Sequence, residues 1–380
     1  MKILVLSSGF LFDHGGGRKV IEWMFSSFNQ TDQLIVCSFE IGSDGPENKR
    51  LPAGMIKGEN LFIIKGSNGK EIIWQYCQFL RSHKPDIIFD ISALNIKVIT
   101  LLCGFFLGFR KKHIFCQHSP MRCVLPLIKN RLMSKLIPYA FRYASYVMTV
   151  SESQMKYMAD LFQLKDQRYE YIYNPVDRSH IILQADDELI LKDISATALL
   201  VVTVCRLDPG SKDVGTLIKA FAKVVMASPT AVLVVAGLGP GREQWEVLAE
   251  SLGVESQVKF SGYLDNPMPL IKRADVYVQS SLYESFGLAI VEAMACGTPV
   301  VATDCDFGPA EILGDGMYGQ LVEVGNVKQM AEVILQVLEK PENYVDSAKL
   351  IAKRVEDFSP HNSFDLYKNL FERIAGENSY

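Results

Sequence analysis

The chain has 380 residues, 48% of them hydrophobic and 22% charged, with a net charge of −4. That length exceeds one ordinary hydrophobic core and predicts two domains. The composition excludes a disordered chain, and the acidic balance argues against nucleic acid as the main partner. Read in chain order, residues 2–6 form the first predicted strand, because the apolar core of residues 1–9 is too short for a signal peptide. The loop His14-Gly15-Gly16-Gly17-Arg18 follows, ahead of a helical pattern over 19–28. Glycines there let backbone approach a ligand closely and offer N–H groups at a helix start; Gly16 and Gly17 are the chosen pair. Further apolar runs predict strands at 34–39, 86–91, 113–117 and 146–150. The apolar run 98–109 is too short to span a bilayer and reads as a crossover helix.

His118 ends the run 113–117, where an imidazole can hydrogen-bond a sugar hydroxyl or shuttle a proton. A lone histidine is more often structural. From Ile91 through Ser151 there is no Asp or Glu, while Lys97, Arg110, Lys111, Lys112, Arg122, Lys129, Arg131, Lys135 and Arg142 are positive. Cations interleaved with Leu127, Ile128, Leu132, Met133, Leu136, Ile137, Tyr139 and Phe141 suit peripheral contact with an anionic membrane. An anionic saccharide, or a solvated face, fits the same pattern. The stretch 174–198 has mixed charge and no sustained period, and is read as the linker.

Beyond the linker, strands are predicted at 199–205, 232–236, 276–279 and 299–303. Arg206 and Lys212 flank a turn at the end of the first of these, where ligands of open α/β sheets bind. A guanidinium fork and an ammonium together can neutralise a leaving diphosphate, although two surface cations on a loop would look the same. Glu284 and Glu292 bracket Phe286, Gly287 and Leu288, which open a helix closed by Gly297 and Pro299. With Glu292 about two turns inside, eight residues at helical rise separate the carboxylates by roughly 12 Å, the span of a nucleotide sugar. One helix-terminal acid and one solvated acid would fit equally. Ser359-Pro360 starts a terminal helix, with Ser as cap and Pro at the first position.

Several motifs fail. Gly237-Leu238-Gly239-Pro240-Gly241-Arg242 has Arg where GxGxxG needs its third glycine, which weakens an NAD-dependent oxidoreductase. No P-loop or GxSxG occurs. Asp304-Cys305-Asp306 spells a DxD triplet, yet it follows a buried strand into a loop, so metal binding is the minor reading. The eight cysteines are scattered without a CxxC pair and read as buried thiols of a reducing, cytoplasmic compartment.

Arg206 with Lys212, the Glu284-x7-Glu292 spacing and Asn174-Pro175-Val176-Asp177 resemble the retaining glycosyltransferase family 4, glycosyl transferases group 1. The resemblance covers nearly the whole chain and is most specific in residues 199–322. It implies an α/β chain of GT-B architecture, with two Rossmann-like parallel-sheet domains facing across a cleft. Residues 1–177 would bind the acceptor and 178–359 the nucleotide-sugar donor, with the helix of about 360–380 packing back on the first domain. Arg206 and Lys212 would then hold the diphosphate, Glu292 the ribose hydroxyls, and Glu284 with the N–H groups of Phe286, Gly287 and Leu288 the donor sugar. The glycine loop with Gly16 and Gly17 would reach the donor phosphate and acceptor, and His118 joins the site on the same ground. The implied reaction moves a sugar from a nucleoside diphosphate donor, preferably a UDP-sugar, to a saccharide acceptor such as a lipid-linked or envelope polysaccharide precursor. No metal or other cofactor is expected. A nucleotide-sugar epimerase of the same architecture and a non-catalytic nucleotide-sugar binding protein are the alternatives.

Overall fold

The computed structural model describes residues 1–8, 16–28, 32–41, 55–56, 58–66, 68–164, 168–188, 194–340 and 348–376. The chain divides into two compact units, Met1–Pro175 with His361–Tyr380, and Val176–Pro360.

The first unit holds a seven-stranded parallel sheet in the order β3-β2-β1-β4-β5-β6-β7. Its strands are β1 (Lys2–Ser8), β2 (Gln33–Ile41), β3 (Leu61–Gly66), β4 (Ile87–Asp90), β5 (His113–Gln117), β6 (Tyr146–Thr149) and β7 (Tyr169–Tyr171). The two-residue period of β1 sends its side chains into different layers. Ile3 and Val5 join a core with Val20, Ile21 and Met24 of the helix Gly16–Phe28, while Leu4 and Leu6 pack with Ile72, Tyr76 and Leu80 of the helix Gly69–His83. Tyr367, Leu370, Phe371 and Ile374 of the helix Pro360–Gly376 belong to the first of these cores. Their spacing of three, four and seven residues puts them on one helical face.

The second unit holds a six-stranded parallel sheet in the order β10-β9-β8-β11-β12-β13. Its strands are β8 (Leu199–Val204), β9 (Ala231–Ala236), β10 (Val258–Gly262), β11 (Val276–Gln279), β12 (Val300–Thr303) and β13 (Gln320–Val322). In each sheet the strand order reverses once, between β1 and β4 and between β8 and β11. Such a switch point opens a crevice outside the carboxyl ends of its two strands.

The four strands that the apolar pattern misses, β3, β7, β10 and β13, are the edges of the two sheets. Each is partly solvent-exposed; β7, β10 and β13 carry no apolar run of four residues, and the run 61–64 of β3 stops at once in Lys65-Gly66. The supposed linker 174–198 is also not wholly irregular. It contains the helix Arg178–Ala185, capped by Asp177, whose carboxylate accepts the His180 N–H at 3.0 Å.

The acid-free segment is less exposed than its charge count implies. The crossover helix runs over Leu94–Phe106 and buries Lys97, whose ammonium lies 3.5 Å from Asp90 Oδ1 and donates to the carbonyls of Asp90 and Ser92 at 2.7 and 2.8 Å. Lys97 therefore contributes nothing to a basic surface. Arg110 and Arg142 are tied by Nε to the carbonyls of Tyr143 and Phe162. On the helix Arg131–Tyr143, Ile137, Ala140 and Phe141 are buried, while Arg131, Leu132, Lys135, Tyr139 and Tyr143 face solvent. No helix among the described residues is long and apolar enough to cross a membrane. All eight cysteines are free thiols, four buried and four half-buried.

Candidate active site

Loops at the carboxyl ends of β8 and β11 build a charged cluster at the switch point of the second sheet. After β8, Asp208 organises the turn: its carboxylate accepts from Gly210 N–H and Ser211 Oγ, both at 3.0 Å, and its carbonyl accepts the Lys212 N–H at 2.8 Å. Burial alone would push the Asp208 carboxyl up, but these donors and the Arg206 guanidinium hold it below its ordinary value. Lys212 then pairs with Ser281 in an isolated antiparallel bridge, which aims its side chain along the end of β11. Asp213, next in sequence, caps the helix Val214–Ala227 through the Thr216 N–H at 3.0 Å.

The Lys212 ammonium makes an ion pair with Glu284 Oε1, both side chains being mostly buried. The same oxygen accepts from Gln279 Nε2 at 2.6 Å and Ser281 Oγ at 2.7 Å. Burial alone would raise the Glu284 carboxyl, but Lys212, Ser281 and Gln279 outweigh it and hold the group below its ordinary value. Burial would likewise lower Lys212, and the facing carboxylate instead raises it. The two charged forms are thus mutually locked.

Glu284 owes its position to the loop after β12. Its N–H donates to the Asp306 carbonyl at 3.2 Å, beside a bridge between Tyr283 and Asp306. Two residues on, Gly308 has φ +86°, and a Cβ there would lie 1.9 Å from the Phe286 carbonyl oxygen. Only glycine lets this loop rest on the Phe286 backbone. The Asp306 backbone thus holds the Glu284 loop, and among the described residues no three His, Cys, Asp or Glu side chains converge to hold a metal ion. A similar cause explains Gly237, at φ +137°: a Cβ would lie 1.8 Å from the Cys205 carbonyl oxygen, so this glycine serves the approach of two loops.

The helix after Glu284 spans Leu288–Cys296, with Gly287 as its N-cap and no side-chain cap. Its first N–H groups and positive dipole end are thus directed at the loop that carries Glu284. Phe286 is buried against Phe358, ring centroids 5.5 Å apart. Glu292 is buried and is the fifth helical residue, one turn closer to the start than the sequence spacing implies. The helical estimate of 12 Å between the carboxylates does not apply, because residues 284–287 are not helical.

Arg206 is not drawn into the cluster. It is 69% exposed and donates to Asp208 at 3.0 Å. In the first unit, Gly16 and Gly17 lie inside the helix Gly16–Phe28 and form its first turn, not a loop; His14 and Gly15 lie outside the described residues. His118 follows β5, with its Nε2 buried and without a hydrogen-bond partner. Burial pushes it down to about 4, with help from the Lys97 charge, so it is neutral at physiological pH. Gln154 steadies the same turn by donating to the carbonyls of Gln117 and Ser119 at 3.2 and 3.0 Å. Gln154, Gln279 and Ser281 escape sequence reasoning because single neutral polar residues carry no motif. A buried strand ending in Gln279-Ser280-Ser281 at a switch point was the available signal.

The Glycosyl transferases group 1 family matches residues 191–354, and Glycosyltransferase Family 4 matches residues 56–180. The chain is a group 1 glycosyltransferase of the GT-B fold. This glycosyltransferase is 29% identical, over 59% of its length, to N-acetylgalactosamine-N,N'-diacetylbacillosaminyl-diphospho-undecaprenol 4-alpha-N-acetylgalactosaminyltransferase of Campylobacter jejuni, and the match spans 60% of that relative. It is 27% identical to N-acetyl-alpha-D-glucosaminyl L-malate synthase of Bacillus anthracis, over 74% of each chain. Among solved structures, Anabaena HepE in complex with UDP shares the fold, with a TM-score of 0.79, 20% identity, and coverage of 98% of this chain and 100% of that one.

Proposed function

We propose that this glycosyltransferase moves a sugar, with retention of configuration, from a UDP-sugar to a saccharide acceptor, a lipid-linked or envelope polysaccharide precursor. The observation that carries the reading is the Lys212–Glu284 pair at the switch point, beside an open helix N-terminus. Lys212, joined by a reoriented Arg206, neutralises the diphosphate as the sugar bond breaks, which is the main electrostatic task when no enzymic nucleophile attacks. The amides of Phe286, Gly287 and Leu288 and the Glu284 carboxylate hold the sugar, and Glu292 the ribose hydroxyls. Gly16, Gly17 and His118, in the first unit, serve the acceptor. With two cations in this role the reaction needs no metal.

UDP is favoured because a structural neighbour was solved with it, and a lipid-linked acceptor because the Campylobacter relative's name specifies one. Calorimetric titration with UDP, GDP, ADP and NAD, with and without EDTA, tests the donor. Micromolar binding of UDP that is insensitive to EDTA is the expected result, and binding of NAD alone would overturn the reading. Glu292→Ala should weaken UDP binding by about tenfold or more, the worth of a charged hydrogen bond. An unchanged Kd would remove Glu292 from the ribose site. The anomeric configuration of the product, read by proton resonance, decides retention.

For the acceptor side, the exposed face of Arg131–Tyr143 mixes cations with apolar groups, and Leu127 beside it is 72% exposed. That face suits peripheral contact with anionic lipid. The protein should sediment with phosphatidylglycerol vesicles at low salt, and Lys129→Glu with Lys135→Glu should release it. Equal sedimentation of the variant would exclude this face.

A further inference from the structure

With Glu284 read as the donor-sugar carboxylate, on which this inference rests, the end of β11 supplies the groups that hold it. Three donors converge on a single oxygen, Glu284 Oε1: Lys212 Nζ, Gln279 Nε2 and Ser281 Oγ. Oε2 accepts from none of the described residues. Behind this arrangement lies a buried chain. The Tyr277 hydroxyl is 2.5 Å from Gln279 Oε1 and 3.3 Å from the Val204 carbonyl, and Gln279 Nε2 is also 3.1 Å from Ser281 Oγ. Tyr277 and Ser281 are fully buried and Gln279 is 3% exposed. We propose that Gln279 and Tyr277 are positioning residues, which fasten Glu284 through Oε1 and so reserve Oε2 for the donor sugar.

The chemistry of each partner supports a single arrangement. A carboxylate only accepts, so the amide must turn its NH₂ toward Glu284 and its oxygen away. The flipped amide would set oxygen against carboxylate oxygen in a dry site. The Tyr277 hydroxyl, kept protonated because burial raises it far above its ordinary value, donates to the amide oxygen and fixes that orientation. A carboxylate held at one oxygen by three donors presents the other at a fixed angle, without reorganisation when substrate arrives.

The test uses Gln279→Leu and Tyr277→Phe in the full chain, each also in a Glu284→Gln background. The first readout needs no donor. The charged and titratable groups that act on Glu284 or its hydrogen-bonded chain are Lys212, Cys205, Cys305, Tyr277 and Glu292. The acid limb of the thermal-unfolding profile should move to higher pH in Gln279→Leu, and the shift should vanish in the Glu284→Gln background. A shift that persists without Glu284, or no shift, overturns the proposal.

The second readout is UDP release from UDP-glucose and UDP-N-acetylglucosamine with water as acceptor. Turnover should fall about tenfold or more in Gln279→Leu and less in Tyr277→Phe, with UDP affinity within about twofold of the parent. Equal losses of turnover and UDP affinity would mark a general structural role and overturn it. If the parent protein neither binds UDP nor releases it from these donors, the donor reading fails, and the acid limb alone decides the positioning role.

Discussion

Lys212→Ala is expected to lower sugar transfer by about 10²–10³-fold, the loss found when a single preorganised charge or donor is removed from a developing anion. Lys212 is fixed in three independent ways before any substrate binds. Asp208 shapes its turn, the bridge to Ser281 fixes its backbone, and Glu284 holds its ammonium. Little reorganisation is then needed for the charge to act on a leaving diphosphate. Lys212→Arg should recover only part of the rate, because a planar fork cannot reproduce a point charge shared between Glu284 and phosphate.

The same substitution has a second signature. Glu284 has a folded pKa below its unfolded one, so its charged form contributes stability that is present above the unfolded value and lost as pH falls through the folded value. Without Lys212 the folded value rises, and acid unfolding should begin at higher pH. Initial rates of UDP release and a pH series of melting curves check the two effects. Near-parental turnover would remove Lys212 from the diphosphate site.

Asp90→Ala should destabilise the first unit by about 3–5 kcal/mol, because it strands a buried cation. Asp90 is wholly buried at the end of β4. Its Oδ1 accepts from Ser92 N–H at 2.9 Å and Ser92 Oγ at 2.5 Å, and its Oδ2 from Thr100 Oγ1 at 2.6 Å, with His113 Nε2 at 3.3 Å. Burial would raise this carboxyl, yet Lys97, His113 and Ser92 together hold it far below its ordinary value. Its stabilising contribution is therefore full above the unfolded value and is lost only in strong acid.

Lys97 is the group that suffers when Asp90 goes. Burial already lowers it, and Asp90 is the main opposing charge. Adding Lys97→Met should restore much of the loss, since an apolar side chain of similar length fills the site without a charge to compensate. Urea unfolding of the two single variants and the double variant measures this directly. A double variant no more stable than Asp90→Ala would show that Asp90 acts through the Ser92 turn and not through Lys97. That turn lies at the first sheet's switch point, where Ser8 Oγ also accepts the Ala93 N–H at 2.7 Å.

Much of this architecture was legible in the chain because the central strands are buried on both faces. Runs such as 113–117, 276–279 and 300–303 are mostly apolar and buried along their whole length, which marks them as central strands. Edge strands lack this signature, since one side of the ladder is wet. Lys65 in β3 and Lys259 in β10 read as loop residues until the neighbouring strand supplies their backbone partners. The helix 178–185 was hidden for a related reason, as only Ile181 and Ala185 are buried and no apolar stripe develops.

Fold class and family are readable from the chain because both rest on short-range patterns: apolar periods, glycine and proline stops, and charged residues at fixed spacing. The sequence names Arg206, Lys212, Glu284 and Glu292, but as separate residues. It takes the folded chain to show that Lys212 and Glu284 share one ion pair while Arg206 turns outward to Asp208, and that Lys97 belongs to a buried pair with Asp90 and not to a basic surface. The physical reason is that a charge in a sequence has no defined environment. Its partner, its burial and its protonation state are set by the folded surroundings, whether the partner lies two residues away, as Asp208 does from Arg206, or 72, as Glu284 does from Lys212.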